Sequence, residues 1–265
     1  MRATIEYDGT DFVGWQRQAD RRSVQGTLEA ALTTVHGRDI RMVGSGRTDA
    51  GVHAVGQVAH FDTPWVRTID ELLRAVNAVL PRDVAVLDVA IAPEGFHARH
   101  SATARAYAYT LWVRPIRSPL ERRRSLHLPK PLALDRMIEA AGHFVGTHDF
   151  AAFGRPMQPG GSTLRRLDRL SVSQDGPRIS IEVVGNAFLR HQVRRMVGVL
   201  IDVGRGQCEP GAIAKTFAGE HGAVKPRRVP AQGLVLTAVH YPPDVDMQLR
   251  TRAGLEQGVA HGEDV

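Results

Sequence analysis

Cysteine and lysine are both scarce in this sequence. Cys208 is the only cysteine among 265 residues, which excludes an intrachain disulfide and a cysteine-rich zinc site. No run approaches the ~20 consecutive apolar residues that a membrane-spanning helix needs. The first six residues also lack the apolar segment of a secretory signal peptide. We therefore expect a cytoplasmic protein that does not cross a membrane.

The positive charge of the chain comes almost entirely from arginine. The 34 lysines and arginines outnumber the 28 acidic residues, which gives a net charge of +6, and only Lys130, Lys215 and Lys225 are lysines. A guanidinium presents a planar fork of donors that suits phosphates and stacks on bases. A basic surface of this kind is typical of a nucleic-acid-binding protein. An arginine-biased composition would give the same excess, so charge alone leaves the partner open.

The remaining composition is that of a soluble globular protein, with 43% hydrophobic and 23% charged residues. Hydrophobic periodicity predicts the element order β-α-β-β-α-β over the first hundred residues. The second half begins with a predicted strand over residues 103–113 and carries a hairpin signal at Asp175-Gly176. The apolar spacing of Val193, Met196, Val197, Leu200 and Ile201 predicts a helix that ends near Gly204. Antiparallel strands and hairpins interleaved with helices favour an α+β fold.

The length suggests how the chain is divided. At about 100–200 residues per domain, it allows one large domain or two smaller ones. The two stretches of similar element order predict an N-terminal half over residues 1–102 and a C-terminal half over residues 103–243. Residues 244–265 show little apolar periodicity, so we expect a mobile tail there.

One segment, residues 44–53, concentrates side chains that could carry chemistry. It places Asp49, Arg47 and His53 among three glycines, and glycine lets the backbone approach a ligand closely. The spacing fits neither a dinucleotide fingerprint nor a Walker loop. An arginine two residues away favours the ionised form of Asp49, which suits a nucleophile or a base. The alternative is a turn in which Asp49 caps backbone donors.

Short motifs spread along the chain carry a family resemblance. In chain order they are Tyr7-Asp8-Gly9, Gly14-Trp15-Gln16-Arg17-Gln18, Gly46-Arg47-Thr48-Asp49-Ala50-Gly51-Val52-His53, Phe96-His97-Ala98-Arg99, Ser101-Ala102-Thr103-Ala104-Arg105, Tyr107 with Tyr109, Asn186-Ala187-Phe188-Leu189-Arg190-His191, Val193-Arg194 and Gly233-Leu234. Together they resemble the A-type tRNA pseudouridine synthase family from Tyr7 to about Tyr241. The run at 46–53 is the most specific of these motifs.

The resemblance implies a fold, an activity and a set of partners. By this resemblance, Asp49 is the catalytic aspartate of an enzyme that isomerises uridine to pseudouridine at positions 38, 39 and 40 of the tRNA anticodon stem-loop. The implied fold has two similar α/β halves that share a long, mostly antiparallel central sheet, with a basic cleft between the halves. The family acts on tRNA as a homodimer and needs neither a metal nor another cofactor.

The resemblance also assigns roles to four further residues. Tyr107 is expected to stack on the flipped uracil, with a core aromatic as the alternative. Arg47 is expected to help flip the nucleotide or hold its phosphate, with a structural ion pair as the alternative. Arg190 and Arg194 are four residues apart, so they are predicted to share a helix face away from the apolar stripe. One of them could pair with Asp49, and family position favours Arg194; otherwise both bind phosphate or face solvent.

Three residues depart from the family pattern, and the roles of two histidine pairs and one arginine run stay open. Val13, Gln192 and Val235 stand where an aromatic residue, a methionine and a tyrosine are usual in the family. Two histidine pairs, His97 with His100 and His143 with His148, have possible ligand spacing but lack further clustered ligands, which is weak evidence for zinc. The run Arg122-Arg123-Arg124 is either a solvated face or a phosphate contact.

Two other functions compete with the isomerase. An RNA chaperone on the same scaffold would keep the arginines but would not need Asp49. An aspartate-based glycosidase would normally need a second carboxylate as its acid. The loop at 44–53 contains no second carboxylate. Asp49, Arg47 and Tyr107 together favour the enzyme.

Overall fold

A computed structural model describes residues 1–243 and Val245 of the chain. Its strands are β1 (Arg2–Tyr7), β2 (Met42–Gly44), β3 (His53–Phe61), β4 (Val84–Ala90), β5 (Ala104–Val113), β6 (Leu126–Leu128), β7 (Gly146–Asp149), β8 (Leu164–Asp175), β9 (Arg178–Gly185) and β10 (Leu234–His240). Its helices are α1 (Val24–His36), α2 (Ile69–Val79), α3 (Leu134–Gly142), α4 (Gln192–Gly204) and α5 (Ala212–Phe217), with a short 3-10 helix at Gly9–Asp11.

The chain forms two compact units. Among the described residues, one unit contains Met1–Thr103 together with residues 238–243, and the other is Ala104–Thr237. The first break falls one residue after the predicted one, and the structure groups the last residues of β10 with the first unit, whereas the sequence predicts them in the C-terminal half. They belong to the first unit because Tyr241 donates its hydroxyl hydrogen to the Ala98 carbonyl at 2.8 Å and the Thr103 N–H donates to the His240 carbonyl at 2.9 Å. The predicted tail, 244–265, lies outside the described residues apart from Val245.

The first unit is built on an antiparallel sheet in the order β4-β1-β3, with β2 added to β3. The helix α1 begins at its N-cap Ser23, whose hydroxyl accepts the Gly26 N–H, and ends at Gly37 with a left-handed φ of 67°. A capping box between Thr68 and Glu71 starts α2. Both helices bury an apolar stripe, which fixes the sheet and its loops as one packed body. The buried residues include Leu28, Leu32, Leu72, Val76 and Val86.

The second unit is built on the order β5-β9-β8-β7, in which every neighbouring pair is antiparallel. The predicted hairpin at Asp175-Gly176 is confirmed, because Gly176 has a φ of 53° and Asp175 pairs with Arg178 across the turn. The short strand β6 pairs parallel to β5, and neither it nor β7 was predicted. Strands of three or four residues are too short to show an alternation of apolar and polar side chains.

Both units therefore show the predicted mixture of antiparallel strands and helices, and the α+β class is confirmed. The first unit has the order β1-α1-β2-β3-α2-β4. The second repeats this order in β5, α3, β8, β9, α4 and the start of β10, with β6, β7 and α5 as additions. No helix within the described part of the chain is long and apolar enough to cross a membrane.

Candidate active site

The loop that carries Asp49 connects β2 to β3 and is joined by backbone hydrogen bonds to the segment before α1. The Trp15 N–H donates to the Thr48 carbonyl at 3.1 Å, and the Gly51 N–H donates to the Phe12 carbonyl at 3.3 Å. Gly14 and Asp49 form an isolated antiparallel bridge between these two bonds. Backbone hydrogen bonds to this one segment thus lie before and after Asp49 in the loop and fix its main chain.

Glycine is required at position 14 for this pairing. Gly14 has a φ of +109°, which side chains rarely tolerate. A Cβ placed there would lie 2.5 Å from the Thr48 carbonyl oxygen and 3.1 Å from the Asp49 carbonyl carbon. The indole of Trp15 is buried against Gly44, where a Cβ would lie 2.5 Å from the indole Cε2. The Gly14-Trp15 motif therefore supports the Asp49 loop.

A buried glutamine on β3 fixes the residues just before Arg47. Gln57 is completely buried, and its Oε1 accepts hydrogen bonds from the Ser45 hydroxyl at 2.7 Å and the Val58 N–H at 3.1 Å. Its Nε2 donates to the Gly46 carbonyl at 3.1 Å. Every polar atom of the amide thus has a partner, and two of the partners belong to the loop. The motifs gave no signal for Gln57, because it lies inside an apolar strand.

Two further contacts anchor the loop after Arg47. The hydroxyls of Thr48 and Tyr7 form a buried hydrogen bond of 2.8 Å. The Gly9 N–H donates to Nδ1 of His53, which is also buried, at 3.0 Å. His53 therefore fastens the end of the loop onto the Tyr7-Asp8-Gly9 motif.

The anchoring leaves few of the loop side chains at the surface. Ser45, Thr48, Val52 and His53 are buried, whereas Arg47 is exposed and Asp49 is half-buried. The folded loop thus presents a carboxylate and a guanidinium two residues apart on a backbone that is fixed by buried contacts. This is the arrangement that a nucleophile or base with an adjacent cation requires.

The second unit carries the predicted stacking residue. Tyr107 lies on β5 opposite Val183 of β9 and is half-buried. The ring of Phe188 contacts it edge-on, with centroids 5.3 Å apart and planes at 85°. Edge-to-face packing of this kind restricts how an aromatic ring can tilt.

Tyr109, on the same strand face, has a different environment. It is fully buried, its hydroxyl donates to the Pro230 carbonyl at 2.9 Å, and burial raises the pKa of Tyr109 above its usual value. Gly233 packs directly against its ring, since a Cβ there would lie 2.7 Å from the ring atoms. Of the two tyrosines in the motif, Tyr109 is the core residue and Tyr107 is the one with accessible surface.

The prediction that Arg190 and Arg194 share a helix face was wrong. The helix α4 begins only at Gln192, after His191 takes a left-handed φ of 65° as its N-cap. Arg190 lies before the helix, forms an isolated bridge with Arg155 and is exposed. Arg194 is only 8% exposed, because α4 is buried nearly all round, and its Nε donates to the Val229 carbonyl at 2.8 Å. Its pairing with Asp49 stays a prediction.

One departure from the family pattern has a clear structural role. Gln192 is buried, and its Oε1 accepts the Leu189 N–H at 2.8 Å, which a methionine could not do. It closes the turn that leads into α4. Val13 and Val235 are half-buried, and nothing in the structure explains why valine stands at either position.

The histidine pairs are engaged with the backbone. Nδ1 of His97 accepts the N–H groups of Arg99 and His100 at 3.2 and 3.3 Å, and burial lowers the pKa of His97. His148 bonds through Nε2 to the Val145 carbonyl at 3.0 Å. Among the residues that the structure describes, no group of three or more His, Cys, Asp or Glu side chains could hold a metal ion.

The chain matches the sequence profile of a family described as tRNA pseudouridine synthase over residues 3–101 and 140–242. The first segment contains Arg47 and Asp49, the second contains Arg190 and Arg194, and Tyr107 lies between them.

Named proteins from several bacteria are similar over most of the chain. The protein named tRNA pseudouridine synthase A in Syntrophotalea carbinolica is 44% identical, with 92% of this chain and 96% of that protein covered. A protein of the same name in Geotalea uraniireducens is 41% identical, with 91% of this chain and 99% of that protein covered. Another in a Roseiflexus species is 44% identical, with 97% of this chain and 94% of that protein covered. A solved structure of an H/ACA RNP bound to a substrate RNA is 12% identical with a TM-score of 0.37, and covers 76% of this chain and 44% of its own.

Proposed function

The chain belongs to the tRNA pseudouridine synthase family, and on that premise we propose that it isomerises uridine at positions 38, 39 and 40 of the tRNA anticodon stem-loop, with Asp49 as its catalytic residue. The observation that carries this proposal is the loop of Asp49. Its backbone is bonded to a neighbouring segment before and after Asp49, while Asp49 itself is only half-buried. A catalytic group needs that combination of fixed position and access.

The chemistry requires only a carboxylate and a way to expose the base. The bond from N1 to C1′ breaks, the uracil turns, and C5 bonds to C1′; C5 then loses its proton and N1 gains one. No oxidation or hydrolysis takes place, so the reaction needs no redox group. Asp49 attacks the base, attacks the sugar or deprotonates the sugar, and each route uses the ionised carboxylate.

Arg47 and Tyr107 act on the nucleotide rather than on the bond. The target base must leave its stack before it can be reached. The exposed guanidinium of Arg47, next to Asp49 in the chain, is suited to hold the phosphate of the flipped nucleotide or to help displace the base. The accessible ring of Tyr107 is suited to stack on the uracil, while Phe188 limits its tilt.

The two arginines near α4 differ in burial and therefore in their proposed roles. Arg190 is exposed and fits a phosphate contact. Arg194 is a buried cation whose Nε is already fixed by the Val229 carbonyl. A buried guanidinium of this kind is suited to keep a carboxylate ionised rather than to track an RNA backbone.

The test of the function is tritium release from tRNA that carries 5-tritiated uridine, followed by mapping of pseudouridine in the product. We expect release of tritium with the tRNA chain intact and pseudouridine at positions 38–40. An RNA chaperone would bind the tRNA and release no tritium. A glycosidase would instead liberate free uracil, so this single assay separates the three hypotheses.

Replacing Gln57 by leucine is expected to lower kcat about tenfold while tRNA binding changes less than threefold. The change removes the hydrogen bonds to Ser45 and Gly46, so the Asp49 loop loses its fixed position; a loss of ~1.4 kcal/mol of transition-state stabilisation gives this factor. The measurements are steady-state kinetics and a thermal melt.

The matched control is Asn77→Leu in the same unit. Asn77 also bonds to backbone through both ends of its amide, to the N–H and the carbonyl of Val86, but it lies on α2 and not beside the loop. We expect a similar fall in melting temperature and an unchanged kcat. Equal losses of kcat in both variants would show that Gln57 only stabilises the fold.

The proposed oligomer is a homodimer acting in the cytoplasm, where the tRNA substrate is found. A small protein that binds a whole tRNA gains from a basic surface continued across two subunits. Sedimentation equilibrium at micromolar concentration should give twice the chain mass of 29.0 kDa. A single species of 29.0 kDa across that range would contradict the dimer.

A further inference from the structure

The loop between β5 and β6, residues 114–125, is the most arginine-rich stretch of the second unit outside the proposed site. We name it the arginine loop. It contains five arginines and a single acidic residue, Glu121. It also contains Ile116 and Leu120, which are large apolar residues in the connection between β5 and β6.

The arginine loop is held in shape by its own contacts. Nε of Arg114 donates to the Ile116 carbonyl at 2.7 Å, and its guanidinium lies 5.2 Å from the centre of the Trp112 ring. Glu121 accepts a hydrogen bond from Arg178 at 2.8 Å, and its carbonyl accepts one from the Ser125 hydroxyl at 3.0 Å. The only carboxylate of the loop is therefore already paired with a strand arginine.

These contacts leave a mixed apolar and cationic surface directed outward. Leu120 is 92% exposed and Ile116 is 74% exposed. Arg117, Arg122 and Arg124 are exposed as well. Single exposed apolar residues are common, but two that are largely exposed on one internally fixed loop and lie next to several cations form a contact surface.

We propose that the arginine loop is a second contact for the tRNA substrate, in which its exposed arginines bind backbone phosphates and Leu120 packs against a base or ribose. This rests on the proposed function, since it assumes that tRNA is the substrate. Tyr107 and the end of β5 are six residues apart, which places the loop about 20 Å along the strand from the stacking residue. The contact therefore falls on nucleotides other than the one that reacts.

The positive charge of the arginine loop favours RNA over a protein as the molecule that binds there. The guanidinium fork matches phosphate geometry, and five arginines beside one carboxylate complement the uniform negative charge of an RNA backbone. Apolar side chains beside basic residues are a known way of wedging against nucleic-acid bases. A protein partner would need a strongly acidic face to match this loop.

The test is a triple variant, Arg117→Ser with Arg122→Ser and Arg124→Ser, assayed for tRNA binding on filters at several salt concentrations. Each lost phosphate contact should lower the slope of log affinity against log salt by about 0.7–0.9. We expect the slope to fall by about 2 to 3, with kcat at saturating tRNA within twofold of the parent chain. An unchanged slope would overturn the proposal.

The control triple changes Arg38, Arg67 and Arg82 to serine, which removes the same charge from exposed positions of the first unit. A fall in slope that is equal in the two triple variants would mean that only net charge matters, and would also overturn the proposal.

The Leu120→Ser variant tests the proposed apolar contact between Leu120 and a base or ribose. It should weaken tRNA binding about fivefold and leave the slope unchanged, because an apolar contact releases no counterions.

Sedimentation of the Leu120→Ser variant tests whether a second copy of the chain, rather than RNA, binds to the arginine loop. A change in oligomeric state with unchanged tRNA affinity would assign the surface to a contact between copies of the chain and overturn the RNA contact. The binding measurements are independent of turnover. Absence of tritium release by the parent chain would remove the proposed function, whereas unchanged binding by these variants of an active enzyme would remove only the second contact.

Discussion

Asp49→Asn is expected to reduce tritium release from 5-tritiated tRNA to background while the dissociation constant stays within about tenfold, or ~1.4 kcal/mol. The substitution keeps the size of the side chain and removes its negative charge. An amide is a poor nucleophile and a poor base, so all three chemical routes fail with it. We expect tRNA binding to rest mainly on contacts between arginine and phosphate, and the loss of a carboxylate that repels RNA favours tighter binding.

The structure gives a reason to expect this separation of turnover from binding. The loop is held by the backbone bonds of Trp15 and Gly51, and by the amide of Gln57, rather than by the removed charge alone. Asp39→Asn is the matched control, because Asp39 is 81% exposed in the same unit and should leave turnover unchanged. Filter binding and tritium release are measured in parallel on both variants.

Two outcomes would contradict the assignment of Asp49. Tritium release close to that of the parent chain would eliminate it as the catalytic residue. If binding and turnover collapse together, and the melting temperature falls with them, Asp49 is a structural residue of the loop. That second outcome corresponds to the turn in which Asp49 caps backbone donors.

The placement of Asp49 and Arg47 on one loop between two strands could be predicted from the sequence, because both residues lie in the single run at 46–53. The supporting contacts could not. Gln57 lies in an apolar strand, and nothing in the pattern around it indicates that its amide turns toward Ser45 and Gly46. Contacts of this kind depend on which strand and loop pack together, and that is decided by the tertiary structure.

The error at α4 has a similar physical cause. The apolar pattern places a helix correctly over most of its length, but it does not show where the first turn begins. His191 takes a left-handed conformation that residues other than glycine rarely adopt, so the helix starts one residue after it. Arg190 was therefore counted into a helix face that it does not join. The burial of Arg194 was missed because the helix is covered on nearly all sides.

The two boundaries between the units differ in how much of them local sequence can show. The break near residue 103 follows the repeat of element order, which is visible in the sequence. Residues 238–243 pack with the first unit, and the hydrogen bond from Tyr241 to Ala98 is one of the contacts that hold them there. These two residues are far apart in the chain, so local periodicity carries no information about their contact.

Substitution of Tyr107 is expected to lower kcat/KM strongly. The size of the fall depends on whether the aromatic ring or only its hydroxyl is removed. A stacked base contributes ~1–3 kcal/mol, so Tyr107→Ala should lower kcat/KM by roughly 5- to 150-fold. Tyr107→Phe keeps the aromatic face and its edge-on contact with Phe188, and we expect it to stay within about threefold of the parent chain. Steady-state kinetics on tRNA give both values.

The same change at the neighbouring tyrosine is the control. Tyr109→Phe removes a buried hydroxyl that donates to the Pro230 carbonyl, and the carbonyl left unpaired costs ~1–3 kcal/mol of folding stability. We therefore expect Tyr109→Phe to lower the melting temperature and Tyr107→Phe to leave it nearly unchanged, since only Tyr109 is fully buried. If Tyr107→Phe and Tyr107→Ala abolish turnover equally while both proteins stay folded, the hydroxyl of Tyr107 takes part in proton transfer and stacking is not its dominant role.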